Sequence, residues 1–214
     1  MSNSSSADKD ITIKQGIFYI LIQAGVIILA AMIFRADILL FGFAVGEDSL
    51  TEVTQQTLLF LMACCFVYIS IINPQQRHFH ILLAGFFTCM LIRELDQFFD
   101  RTVQHSFWVY PALLVAFASI AYALKEKNAT VTALRAFINH KCFYGLCNAL
   151  VIILFFSRLF GMEDMWQEIM AENYNRQLKK NIEEGVELLG YSLLFYSSLV
   201  YTGDMHTRKS GAYK

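Results

Sequence analysis

The chain has 214 residues, of which 56% are hydrophobic and 16% charged, and its formal net charge is −1. Soluble domains carry about 25% charged residues, so this composition excludes an ordinary water-soluble domain, and the balanced charge excludes a protein held to nucleic acid by electrostatics. The five cysteines, Cys64, Cys65, Cys89, Cys142 and Cys147, all fall in apolar runs, which excludes a disulfide framework or a Cys-x-x-Cys metal pair and leaves them as small packing residues.

Residues 1–14 are polar, and a disordered N-terminus is expected there. The first apolar run, Gln15 to Phe34, is long enough for a membrane span. No small-residue cleavage site follows it, so it reads as a retained span rather than a signal peptide. Arg35 and Asp37 are expected to end it. After a mostly apolar linker, Ser49-Leu50-Thr51-Glu52 has the capping-box pattern and predicts a helix start near Leu50. The second span is expected over Thr54 to Ile72. It stops at Asn73-Pro74, because the residue before a proline is pushed out of the helical region.

A third span begins near His78 and closes on Leu91 to Asp100, LIRELDQFFD. A hydrocarbon core of about 30 Å takes about 20 helical residues, which keeps Arg93, Glu94 and Asp96 inside the slab or at its edge. On a continuous helix, Arg93, Asp96 or Gln97, and Asp100 share one face. The fourth span, His105 to Leu124, opens with Phe107, Trp108 and Tyr110, an aromatic belt. The basic connection Lys125 to Lys141 reads as topogenic, touching anionic lipid rather than nucleic acid. The fifth span, Cys142 to Gly161, carries Arg158 near its end. From Met162 to Asn181 the apolar residues Met162, Met165, Trp166, Ile169, Met170 and Tyr174 have helical spacing with one greasy face, which predicts a helix lying on the membrane surface. The last span, Ile182 to Tyr201, opens with Glu183, Glu184 and Glu187, and its Gly185 and Gly190 suit a close helix approach. Residues 205–214 form a short tail.

The expected fold is an all-α, polytopic membrane helix bundle of about six transmembrane helices plus one amphipathic surface helix, with a single membrane domain over residues 15–204. No internal repeat, Gly-rich phosphate loop or nucleophile elbow is found. An even number of spans puts both termini on one side. That side collects ten of the 17 Lys and Arg but only Asp8, Asp10, Glu126 and Asp204 among the acids, so the positive-inside rule makes it cytoplasmic. The expected location is a bacterial-type inner membrane. The lipid bilayer is the chief partner, with no nucleic acid, and a homo-oligomer or a membrane partner is left open.

The function-bearing feature is an asymmetry. Glu52, Arg93, Glu94, Asp96, Asp100, Arg158, Glu183, Glu184 and Glu187 gather at the outer ends of spans two, three, five and six, while the inner halves carry almost no charge. Glu183, Glu187 and Tyr191 share a helix face. Glu187 lies about five residues, roughly 7 Å, inside its span, where an ionised carboxylate costs about 2.5–3.5 kcal/mol. These groups are expected to face inward and meet as one site, with Arg93 and Arg158 at a depth suited to pair with them and Arg93 contacting Glu183, Glu184 or Glu187 directly or through water. Clustered carboxylates bind hard cations through oxygen, share protons or do general acid–base work. The leading reading is a small transporter or an ion- or proton-binding membrane protein, with a divalent cation as the cofactor such carboxylates would take. The alternatives are an intramembrane enzyme acting on a lipid or lipid-linked substrate at the outer leaflet, and a structural subunit whose ion pairs keep the helices in register. Among the histidines, His105 lies near the outer acids and is the one candidate ligand or proton donor. His78 and His80 lie at the opposite end of span three and add little. The absence of a His-Glu-x-x-His pattern argues against a histidine-rich zinc hydrolase.

Overall fold

The structure, a computed structural model, describes residues 13–41 and 49–211. Of the N-terminus expected to be disordered, residues 1–12 lie outside those residues, as does most of the linker before Ser49, while Ile13 and Lys14 already belong to the first helix. The helices are α1 (Ile13–Phe41), α2 (Leu50–Ile72), α3 (Arg77–Glu94), α4 (Asp96–Thr102), α5 (Val109–Lys125), α6 (Lys127–Ile138), α7 (Phe143–Val151), α8 (Ser157–Gly161), α9 (Glu163–Met170) and α10 (Arg176–Gly211). A π-helical segment, Ile152–Phe156, joins α7 to α8.

Among the described residues, three stretches are long and apolar enough to cross a membrane: Gly16–Leu40, Leu50–Ile72 and Phe143–Gly161. Two more qualify if α3 with α4, and α5 with α6, each count as one bent span. The sixth expected span lies in α10, which does not qualify because polar residues interrupt its apolar ones. The outside of the bundle is greasy. Leu21, Phe117 and Phe155 are each at least 65% exposed, a surface suited to lipid and costly in water.

The core is built around α2 and α10. On α2 the buried residues Gln55, Leu59, Met62, Phe66 and Ile69 recur every three or four positions, so one stripe faces inward. On α10, Leu188, Tyr191, Leu194, Ser198 and Tyr201 do the same. α10 packs against α1, α2, α7 and α8, while α3 packs on α2 and α5 on α3. At 36 residues, α10 is about 54 Å long.

Several boundaries differ from those expected. α1 does not stop at Arg35 and Asp37 but runs on to Phe41. Asp37 is tolerated because it is not left to lipid: fully buried, its two carboxylate oxygens accept from Leu50 N and Thr51 N, each at 3.0 Å. Ser49 Oγ accepts from Glu52 N at 3.1 Å, as the capping pattern predicts, so three of the free amides that open α2 are satisfied. α2 ends at Ile72 before Asn73-Pro74, also as expected. The basic connection holds a helix, α6, turned 103° from α5, with Ala133 and Phe137 buried in the core. The surface helix is shorter than expected. α9 ends at Met170, and Ala171 (φ 45°) breaks the chain direction. Arg176 to Asn181 are the first turns of α10, and residues 205–211 are its last turns rather than a tail. Within α9, Trp166 is buried and donates from Nε1 to Phe160 O at 2.6 Å, Glu163, Asp164 and Glu168 face outward, and Ile169, 67% exposed, does not pack on the bundle.

Candidate polar cavity

A cavity of about 520 Å³ opens at the acidic end of the bundle. Glu52 lines it from the first turn of α2. Arg93, Glu94 and Asp96 line it from the junction of α3 and α4, Arg158 from α8, and Glu183, Glu184 and Glu187 from α10. Arg176, Lys179 and Lys180 also line it, from the first turns of α10. Sequence reasoning assigned those three to a surface helix and so left them out.

The α3–α4 junction makes one wall. α3 ends at Leu95 (φ −93°, ψ 15°), and the chain restarts as α4, bent by 55°. Asp96 stands in the first turn of α4, where a negative charge suits the helix N-terminus. The break divides the stripe that a continuous helix would have carried. Arg93 and Glu94 stay over α10, and Asp100 swings away from the cavity. Asp100 instead pairs with His105 Nδ1 at 2.7 Å and accepts from Ser106 N at 2.8 Å, closing the turn into α5. His105 is mostly exposed there and is not a member of the cavity.

Arg93 does not reach the glutamates of α10. Its Nη1 lies 3.0 Å from Glu94 Oε1, because the loosened end of α3 lets neighbouring side chains meet. The link between α3 and α10 is Tyr191, whose hydroxyl donates to Glu94 Oε1 at 2.8 Å. Arg158, the other arginine expected to pair here, does reach the glutamates of α10. Its Nη2 is 3.2 Å from Glu187 Oε1 and its Nη1 is 3.4 Å from Glu183 Oε1. Ser157 Oγ sits 3.1 Å from the same Glu187 oxygen. From α2, behind the cavity lining, Gln55 Nε2 donates to Glu184 O at 3.1 Å and to Glu184 Oε2 at 3.2 Å. Glu94, Glu184 and Glu187 lie close enough to repel one another, and Glu187 is only 5% exposed.

The π-helical segment explains how Arg158 arrives there. One extra residue in the turn rotates all that follows, which aims Ser157 and Arg158 at α10. The segment packs tightly on that helix at Gly190, where an added Cβ would lie 2.5 Å from Ile153 Cγ1.

Polar groups continue inward below the cavity. Tyr191, Ser198 and Tyr201 are each at most 1% exposed and share one face of α10, with Leu194 between the first two. Tyr201 Oη lies 3.0 Å from His80 Nε2, and His80 is fully buried with Nδ1 lacking a partner. Phe66, Phe87 and Phe137 surround the pair. His80 was set aside at sequence level because it lies in the first turn of its span. A histidine embedded in an apolar run, at a depth matching a tyrosine of another span, is the signal that could have found it.

Among the described residues, no three of His, Cys, Asp or Glu are placed to share a metal ion. The carboxylates are instead turned toward Arg93, Arg158, Tyr191 and Gln55, so the divalent-cation reading is not carried further. No protein-family model, curated protein or solved structure matches the chain.

Proposed function

We propose that the protein is a small proton-coupled carrier of a polar solute in a bacterial-type inner membrane. In this reading α10 is the sixth span, both termini are cytoplasmic, and the cavity faces outward. The observation that carries it is the line of buried polar groups leading inward from Glu187 through Tyr191 and Ser198 to Tyr201 and His80. Such groups are costly at membrane depth, and a bundle that only needed to hold together would fill these positions with apolar residues. Six carboxylates and five cationic side chains line the cavity, which suits a solute bearing charges of both signs. Like charges held close in a half-buried place relieve their repulsion by taking up a proton. Solute binding that moves Arg158 away from Glu187 would then be linked to proton uptake.

Two measurements test this. Proteoliposomes are challenged with pools of amino acids, organic cations and small organic anions at two pH values, and transient currents are recorded. Currents in at least one pool that vanish in Glu187→Gln are expected. Separately, Ser198→Cys, placed on a background lacking the native cysteines, is exposed to a water-soluble maleimide. A carrier that opens its inner side exposes this position at a pH-dependent rate. No current in any pool, with a thiol unreactive at every pH, would return the chain to the structural reading. Turnover of a lipid substrate without current would favour the enzyme.

A further inference from the structure

A second cavity, of about 250 Å³, lies at the end of the bundle away from the carboxylates, in the seam between α1, the start of α7 and α10. Lys141 stands at its edge. The ammonium donates to Tyr19 Oη at 3.2 Å and pairs with Asp204 Oδ2 at 3.0 Å, which leaves one N–H for a further acceptor. Arg208, one turn beyond Asp204, acts on the same cluster, so Lys141, Asp204 and Arg208 together leave the patch positive.

Gln23, Tyr196 and Ser197 line the same cavity. Their amide and hydroxyl groups make no hydrogen bond among the described residues. Gln23 lies one turn, about 6 Å, further along α1 than Tyr19, inside the apolar stretch Gly16–Leu40. With no water at that depth, such donors call for a partner.

The seam then changes character. Further along the same two helices it becomes an apolar groove, with Ile27, Ala30, Ala31 and Phe34 facing Gly185 and Leu189. The groove stays open because its walls are small; an added Cβ at Gly185 would meet the Phe34 ring at 3.1 Å. From Gln23 to Phe34 the helix rises roughly 16 Å, about half of a 30 Å hydrocarbon core. Cationic mouth, neutral donors and apolar groove thus follow one another in the order of a phospholipid's phosphate, esters and acyl chain.

We propose that the α1–α10 seam binds one anionic phospholipid from the leaflet at the Lys141 end. The phosphate rests on Lys141 and Tyr19. The ester carbonyls accept from Gln23, Tyr196 and Ser197, and one acyl chain lies in the groove. The site is separate from the carboxylate cavity, and the case for it does not rest on the function proposed for that cavity.

The test is native mass spectrometry of the full chain in detergent, titrated with phosphatidylglycerol or phosphatidylcholine of identical acyl chains. One phosphatidylglycerol is retained in preference to phosphatidylcholine. Lys141→Met brings the two lipids to near parity, weakening phosphatidylglycerol about tenfold and leaving phosphatidylcholine unchanged. Ala31→Trp, which fills the groove, weakens both lipids. Gln23→Leu, at an exposed position, also weakens both and serves where another variant fails to fold, as judged by circular dichroism. Excess inorganic phosphate leaves the bound lipid in place. Three results would each overturn the proposal: no saturable single lipid on the wild-type chain, retention unchanged by Lys141→Met and Gln23→Leu, or displacement by free phosphate.

Discussion

Asp37 offers the sharpest test of how the cavity is held. Its carboxylate is fully buried and accepts two backbone amides of α2 at 3.0 Å each. A hydrogen bond to a charged group contributes about 1.5–3 kcal/mol, and an amide stranded in a buried place costs about as much. Asp37→Ala removes both bonds and the charge, so a loss of about 3–5 kcal/mol is expected. Asp37→Asn keeps one acceptor oxygen and loses the charge, for about 2 kcal/mol. Ser49→Ala removes a single cap and should cost about 1 kcal/mol. Equilibrium unfolding in a mixed detergent–denaturant series measures all three. Amide hydrogen exchange should also quicken in the first turns of α2, which place Glu52 in the cavity and Gln55 against Glu184. If Asp37→Ala is no more damaging than Ser49→Ala, or if Asn and Ala are equivalent at position 37, the carboxylate is not what holds α1 to α2.

Arg158→Met should lower the melting temperature more than Arg93→Met, because it strands Glu187 in the cavity floor; adding Glu187→Gln should restore much of the loss, and strictly additive losses would show the pair to be uncoupled. Tyr191→Phe should cost about 1 kcal/mol through the lost bond to Glu94, read by thermal unfolding, and should change the pH dependence of any transient current. His140 lies between α6 and α7, and burial pushes its imidazole below the ordinary histidine range despite the neighbouring Asp204 carboxylate. The unfolded chain therefore takes up that proton at higher pH than the folded one. Its share of stability is present at neutral pH and falls as the solution is acidified through the ordinary range near 6.5. His140→Gln should flatten part of that acid-side loss in melting temperature against pH. For orientation, thiols placed at Glu172 and Lys127 in intact cells should label at 172 and not at 127; the reverse would invert the membrane placement.

Local signals in the chain were the ones most faithfully legible. The Ser49 cap and the Asn73-Pro74 stop act through a few neighbouring atoms, so four letters suffice to place them. The clustering of carboxylates at one depth was legible because hydrocarbon penalises charge regardless of fold. What the letters hid depended on partners distant in sequence. Asp37 reads as the end of a span until the amides of α2 meet it. LIRELDQFFD reads as one helix end, because nothing in its composition marks the break at Leu95. That Arg93 turns to Glu94 while Arg158 meets the glutamates of α10 follows from the break at Leu95 and a π turn, neither of which local propensity announces. The segment after Met162 reads as one amphipathic helix, because a single positive φ at Ala171 leaves no trace in apolar spacing. The inward face of Glu187 and Tyr191 was legible from helix spacing, whereas the run of α10 past Tyr201 was not, because the polar residues beyond it read as a tail.

The length of α10 has a mechanical consequence. Glu187 and Asp204 stand on the same unbroken helix, 17 residues and roughly 25 Å apart. A helix of that kind transmits rotation and sliding with little loss. If α10 shifts when its carboxylates are engaged, Asp204 moves against Lys141 and His140 in the same stroke. Linkage then runs both ways: a ligand that biases the helix from one end changes affinity at the other by the same factor. Any affinity measured at the carboxylate end would then vary with the headgroups of the surrounding bilayer, and the preferred lipid would vary with occupancy of the carboxylates.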